Sequence, residues 1–199
     1  VGGLGHCAAC HSARNALGAS RGLLDLSGGL IPMQNWYAPA LTSAAEAGVG
    51  DWPVDEIVQL LATGRSPRAT VLGPMAEVVL HSTQHLPPAD LQAMAVFLKS
   101  LPPAATPPAP SDAAPASTQV LDSGAKLYER HCVDCHGAQG QGAANAYPAL
   151  AGNRAVTLGV TTNLVQVVLN GGYPPATQGN PRPYGMPPFA MALSDAEVA

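Results

Sequence analysis

Every cysteine of the chain falls in one of two five-residue stretches, Cys7-Ala8-Ala9-Cys10-His11 and Cys132-Val133-Asp134-Cys135-His136. Cys-x-x-Cys-His is the pattern by which a c-type haem is attached. The two thiols add across the porphyrin vinyl groups as thioethers, and one helical turn between the sulfurs matches the vinyl-to-vinyl reach. The histidine after the second cysteine is then carried under the iron as its proximal ligand. Two occurrences predict two covalently bound haem c groups, one held by Cys7, Cys10 and His11, the other by Cys132, Cys135 and His136. A shared structural zinc is the competing use of paired cysteines. It leaves both histidines unexplained, and the two pairs lie a whole domain's length apart. A thioredoxin-like redox pair needs a strand-helix-strand context that neither motif has nearby.

Each iron also needs a distal partner. A methionine thioether opposite the histidine gives the six-coordinate, raised-potential iron of electron-carrying cytochromes c. Met33, Met75 and Met94 are the candidates in the first half. Met75 is favoured: it lies far enough beyond His11 for the chain to travel round the haem, in a Gly73-Pro74-Met75 loop. Met33 sits in a stretch needed on the proximal side, and Met94 has the spacing of a core residue. In the second half Met186, stiffened by Pro187 and Pro188, is favoured over Met191, which is expected to pack in the core. His81, His85 and His131 are expected in ordinary surface or core roles, and repeat position gives a bis-histidine haem no support.

The elements that must position these residues repeat. Val1 to Cys10 is expected to be the tail of a helix delivering the first motif, followed by a loop with Arg14, Asn15, Arg21 and Gly22. Residues 28–42, rich in turn formers and aromatics, are expected to fold over the proximal side. There the Pro39 carbonyl is a natural acceptor for the other ring N–H of His11. Asp51 to Glu56 reads as a capped helix start, running through Ile57, Val58, Leu60 and Leu61 to Gly64. A second helix is expected over Pro88 to Leu101, with Leu91, Met94, Ala95 and Leu98 on one face. Residues 102–118 hold six prolines and one charge, and read as a semi-rigid linker. Beyond it Ser123 to His131 reads as a helix into Cys132. Tyr147-Pro148-Ala149-Leu150 then echoes residues 37–41, Asn163 to Gly171 aligns with Glu56 to Gly64, and Gly185-Met186-Pro187 takes the place of Gly73-Pro74-Met75. The predicted fold is all-α, with two tandem class I-type cytochrome c domains at 1–101 and 119–199 joined by the linker 102–118. The first is expected to have a truncated N-terminal helix and the second a truncated C-terminal helix.

Composition agrees with a cofactor-filled core. Charged residues are only 11% and aromatics 5%, while Gly (21) and Pro (20) abound. That suits small domains wrapped around a large apolar group. The formal charge is −4 with no basic stripe, which argues against nucleic acid as a partner. No apolar run approaches a membrane span. Thioether attachment belongs mostly to oxidising or translocated compartments, so an exported, periplasmic protein is expected, its signal peptide upstream of Val1.

Cys7-Ala8-Ala9-Cys10-His11, Trp36-Tyr37-Ala38-Pro39, the stretch Gly73 to Val79, the stretch His81 to Leu86 and Met186-Pro187-Pro188-Phe189 carry a family resemblance. The chain resembles the multihaem cytochrome c subunits of periplasmic bacterial dehydrogenases, over the last two haem domains of that family. Such subunits accompany quinoprotein alcohol dehydrogenases, flavin-dependent sugar and sugar-acid dehydrogenases, and some molybdenum hydroxylases. The resemblance implies His11 and Met75 as axial ligands of one iron and His136 and Met186 as those of the other. It also implies a catalytic partner of the PQQ, flavin or molybdenum type. Family members usually have three haem domains and a C-terminal membrane anchor, so this chain is either the remainder of such a protein or a shorter relative. Anchoring to the periplasmic face of the inner membrane would use segments outside this sequence.

With both irons saturated, the expected function is electron transfer and not catalysis. Electrons would pass from the dehydrogenase through the two haems to quinone, a downstream cytochrome or a terminal oxidase. The competing assignment is a cytochrome c subunit built into a haem–copper terminal oxidase. A dihaem peroxidase is the third, and requires Met75 or Met186 to leave its iron.

Overall fold

The computed structural model describes residues 5–20, 22, 24–104 and 116–198. Arg21 and most of the proline-rich stretch, residues 105–115, lie outside the described residues, as do the first four residues of the expected leading helix. The fold is mostly helical. Its N-terminal half contains α1 (Cys7–His11), α2 (Val54–Thr63), α3 (Pro74–His81) and α4 (Pro88–Ser100). Its C-terminal half contains α5 (Thr118–His131), α6 (Val133–His136), α7 (Arg154–Thr157), α8 (Thr162–Asn170) and α9 (Asp195–Val198). A two-stranded antiparallel hairpin, β1 (Gly29–Ile31) and β2 (Trp36–Ala38), is added to the expected all-α pattern. Its turn is made possible by Met33 and Asn35, both at positive φ. Met33 therefore stands at the hairpin tip, fully exposed.

The α2–α4 pair makes the main core. Ile57 and Leu61 of α2 are buried four residues apart, and Leu91, Ala95 and Leu98 of α4 face them with Val49 and Trp52. Met94 is half-buried against the same cluster, as its spacing indicates. Gly64 ends α2 in the left-handed conformation, its N–H returning to Leu60. The start of α2 differs from expectation: Pro53 occupies the cap position and no side chain caps it. Asp51 instead turns outward to Arg154 of the C-terminal half. Gly5 and His6, the described residues before Cys7, are not helical: His6 has positive φ and α1 begins only after it.

Met75 lies in the first turn of α3 and not in a loop. Pro74 pre-sets the helix start, and Ala76 and Val79 form its buried face. Gly73 before it has φ +57, and a Cβ there would meet the Trp36 ring at 2.6–2.8 Å. Only glycine lets this loop lie flat on the indole.

α5 begins five residues earlier than the sequence pattern indicates. The Ser117 hydroxyl accepts the Val120 N–H and caps it. The short α7, capped by Asn153, has no sequence counterpart in the first half and is an addition to the expected elements. No described helix is long and apolar enough to cross a membrane.

The halves meet reciprocally. The Asn163 side-chain amide accepts the Tyr37 N–H at 2.8 Å and donates to the Tyr37 carbonyl at 2.7 Å, while Gln166 donates to the Asn35 carbonyl. Also from the C-terminal half, Arg154 donates to the Gly48 carbonyl at 2.6 Å and to both Asp51 oxygens. Arg65 reaches the Asn145 carbonyl and Asn180 Oδ1.

Candidate haem-binding sites

Each Cys-x-x-Cys-His motif is helical, so its cysteines lie one turn apart on one face. Cys7, Cys10 and His11 lie on α1, and Cys132 immediately precedes α6, which carries Cys135 and His136. The four thiols are free and half-buried. Burial pushes the Cys7 thiol up, and burial with a smaller contribution from Cys135 does the same for Cys132. Among the described residues no three His, Cys, Asp or Glu side chains converge on a metal position.

His11 Nδ1 lies 2.7 Å from the Pro39 carbonyl oxygen, and His136 Nδ1 lies 3.0 Å from that of Pro148. A carbonyl only accepts, so each ring carries its proton on Nδ1 and turns an Nε2 lone pair outward. Burial holds His11 below the usual imidazole range, against the opposing pull of the Pro39 bond. A neutral imidazole with its Nδ1 proton anchored is the form that ligates a metal.

The loops that present these prolines are themselves fixed. Gly28 N–H donates to the His11 carbonyl and Leu41 N–H to that of Leu26. Glu46 Oε2 accepts both the Tyr37 hydroxyl at 2.9 Å and the Ala40 N–H at 2.7 Å. In the C-terminal half Asn153 Nδ2 donates to the Ala149 carbonyl, and Tyr128 Oη to that of Gly137.

Met75 is half-buried at the start of α3. Met186 is also half-buried, and exchanges both backbone hydrogen bonds with Gly172 at the end of α8, at 2.8 and 3.0 Å. A Cβ on Gly171 would collide with the Met186 carbonyl. Met191, expected in the core, is fully exposed. The chain turns there, and the stretch after Phe189 leaves the packed face. His81 pairs with Glu77 one helical turn away, His85 approaches the Leu80 carbonyl, and His131 packs edge-on against Phe189. Arg14 folds back onto the Ala9 and Gly18 carbonyls.

These residues fit a haem. In α5 to α9 no described residue is fully buried, and every apolar side chain of α8 from Leu164 to Leu169 is only half covered by protein. An apolar helix face left half covered, in the same half of the chain as two thiols and an aligned imidazole, has the chemistry a porphyrin cradle needs. Sequence reasoning did not find Glu46, Arg154 or Asn163, whose partners are set by tertiary approach alone.

Residues 121–199 match the family model described as cytochrome c. The chain is 38% identical over 211 residues to the cytochrome c subunit of a quinone alcohol dehydrogenase from Gluconobacter oxydans, covering 100% of this chain and 44% of that protein. It is 34% identical over 188 residues to the cytochrome subunit of fructose dehydrogenase from Gluconobacter japonicus, covering 84% of this chain and 38% of that protein. It is 35% identical over 215 residues to the cytochrome c subunit of gluconate 2-dehydrogenase from Pantoea cypripedii, covering 100% of this chain and 48% of that protein. The chain thus spans less than half the length of these curated relatives. Cys132, Cys135 and His136 lie within the matched residues 121–199, and the cytochrome c family implies covalently bound haem c.

Proposed function

We propose that the chain is a dihaem electron-transfer unit, with tandem cytochrome c domains at 1–101 and 119–199, serving a dehydrogenase whose catalytic centre lies on a partner subunit. The twin proximal geometry carries this assignment: two motif histidines, 125 residues apart, each direct Nδ1 at a proline carbonyl. A chain with a single haem would have no reason to orient a second imidazole this way. Haem supplies reversible one-electron chemistry when bound.

The chain's own residues do the rest. Cys7, Cys10, Cys132 and Cys135 would tether the two groups, and His11 and His136 would ligate them through Nε2. Met75 and Met186 would supply a thioether ligand to each group, each behind a glycine that brings its backbone close to a neighbour. Apolar residues of α8 keep water away from the second group. With His11 and Met75 holding one group and His136 and Met186 the other, the chain would pass electrons and leave no site at iron for substrate.

The names of the relatives support a dehydrogenase as donor, which we assign to the quinoprotein, flavin or molybdenum type. Quinone, a further cytochrome or a terminal oxidase is the acceptor, in the periplasm and anchored to the inner membrane through segments outside this sequence. The test is to add the haem-loaded chain to its cognate dehydrogenase and substrate. Reduction of both haems, with none when the chain meets substrate alone, is expected. Reduction only within a haem–copper oxidase core, or peroxide turnover by the chain itself, would overturn the assignment.

A further inference from the structure

We propose that Glu46 is a positioning residue for the first haem's proximal ligand, acting through the Pro39–Ala40 peptide to hold that haem at a lower potential than the second. This rests on the haem ligation by His11 proposed above.

The Pro39 carbonyl and the Ala40 N–H belong to one peptide unit. His11 Nδ1 lies 2.7 Å from the carbonyl end, and Glu46 Oε2 accepts from the N–H end at 2.7 Å. The same carboxylate oxygen accepts the Tyr37 hydroxyl at 2.9 Å, which orients it. Among the described residues Glu46 has no ion pair with Lys, Arg or His. Its charge is therefore directed into neutral donors. A negative charge on an amide's N–H end polarises the amide and makes its oxygen a stronger acceptor. A stronger acceptor draws the Nδ1 proton, raises the basicity of the imidazole and favours the ferric state. Both the route through the peptide and the direct field of the carboxylate lower the potential.

The second half lacks this device. The Pro148 oxygen lies 3.0 Å from His136 Nδ1, and the polar side chain bonded beside it is the neutral Asn153, through the Ala149 carbonyl. Among the described residues no carboxylate bonds to the Pro148–Ala149 peptide. Electrons then run downhill from the first haem to the second.

The test is Glu46→Gln in the haem-loaded chain. The amide oxygen can accept both hydrogen bonds, so shape is kept and charge is removed. Spectroelectrochemical titration should show the first haem's potential raised and the second's unchanged, the second wave being the one that Met186→Ala moves. The NMR resonances of the Ala40 amide and His11 Nδ1 protons should shift upfield together. Asp25→Asn, which removes a carboxylate of the same half bonded to Ser27, should leave both potentials in place. An unchanged first potential in Glu46→Gln, or an equal rise in Asp25→Asn, overturns the inference. If Glu46→Gln does not fold, the unsubstituted chain decides: a first haem at or above the second's potential overturns it, and a lower one supports it. Absence of covalent haem from residues 5–104 after denaturation would overturn the dihaem assignment itself.

Discussion

Asn163 and Tyr37 lie 126 residues apart in sequence, and the side-chain amide of the first pairs with both backbone groups of the second. The amide acts as one more strand on the outer edge of β2. Tyr37 lies two residues before Pro39, whose carbonyl holds His11. The C-terminal half thus braces the proximal loop of the N-terminal half. In return Arg154, a few residues beyond Pro148, is fastened to Gly48 and Asp51.

Asn163→Leu should therefore loosen the interface without touching either motif. It leaves the partly buried Tyr37 N–H and carbonyl without partners, at a cost of about 1–3 kcal/mol. Thermal unfolding should begin lower, and the proximal loop around Tyr37 should exchange its amides faster. An unchanged exchange pattern would mean that the remaining contacts, at Asn35, Gly48, Asp51 and Arg65, hold the halves without it.

Gly73→Ala should be costly for two reasons that act together. The residue sits at φ +57, and the new Cβ would lie 2.6 Å from the Trp36 ring. A penalty of about 1–3 kcal/mol is expected, with Met75 displaced next door. Loss of the methionine–iron charge-transfer band at one haem, measured beside the melting temperature, checks both effects.

The pairing of His11 with the Pro39 carbonyl was legible because a Cys-x-x-Cys-His pattern calls for a fixed imidazole with an acceptor at its other nitrogen. The echo of residues 37–41 in Tyr147-Pro148-Ala149-Leu150 was legible too, but the Pro148 carbonyl as partner of His136 emerged only from the structure. α2 and α4 were legible from apolar spacing, Ile57 with Leu61 and Leu91 with Ala95 and Leu98. The hairpin at 29–38 was not, because its strands are three residues long and its tip depends on Met33 and Asn35 accepting positive φ. α3 was hidden by the Gly-Pro pair that starts it. Met191 misled through hydrophobicity, which signals burial only where the backbone faces the core. Glu46, Arg154 and Asn163 are ordinary polar residues in sequence, and their roles exist only once distant segments meet.

Met75→Ala and Met186→Ala should act on different haems. Each removes one thioether, so that haem should drop in potential and bind carbon monoxide while the other stays closed. Two independent redox waves, each moved by only one substitution, would bear this out. If neither methionine matters and Met94→Ala opens the first iron, the assignment for that half fails.

Tyr37 gives a prediction with a definite sign. Burial, and then the bond to Glu46 and its charge, push the phenol up to about 12 from an ordinary value of 10.0. The unfolded chain releases this proton at lower pH than the folded one. The folded form therefore binds more protons between those values, and its stability falls as pH rises through that window. Below pH 10.0 the contribution is fully present. Tyr37→Phe should flatten the alkaline limb of the stability curve while leaving the curve near neutrality almost parallel. The hydroxyl's bond to Glu46 is lost in that variant, but the Ala40 N–H still holds the carboxylate. Denaturant midpoints at several alkaline pH values, compared between the two proteins, check it. An equally steep decline in Tyr37→Phe would show that some other group governs the alkaline limb.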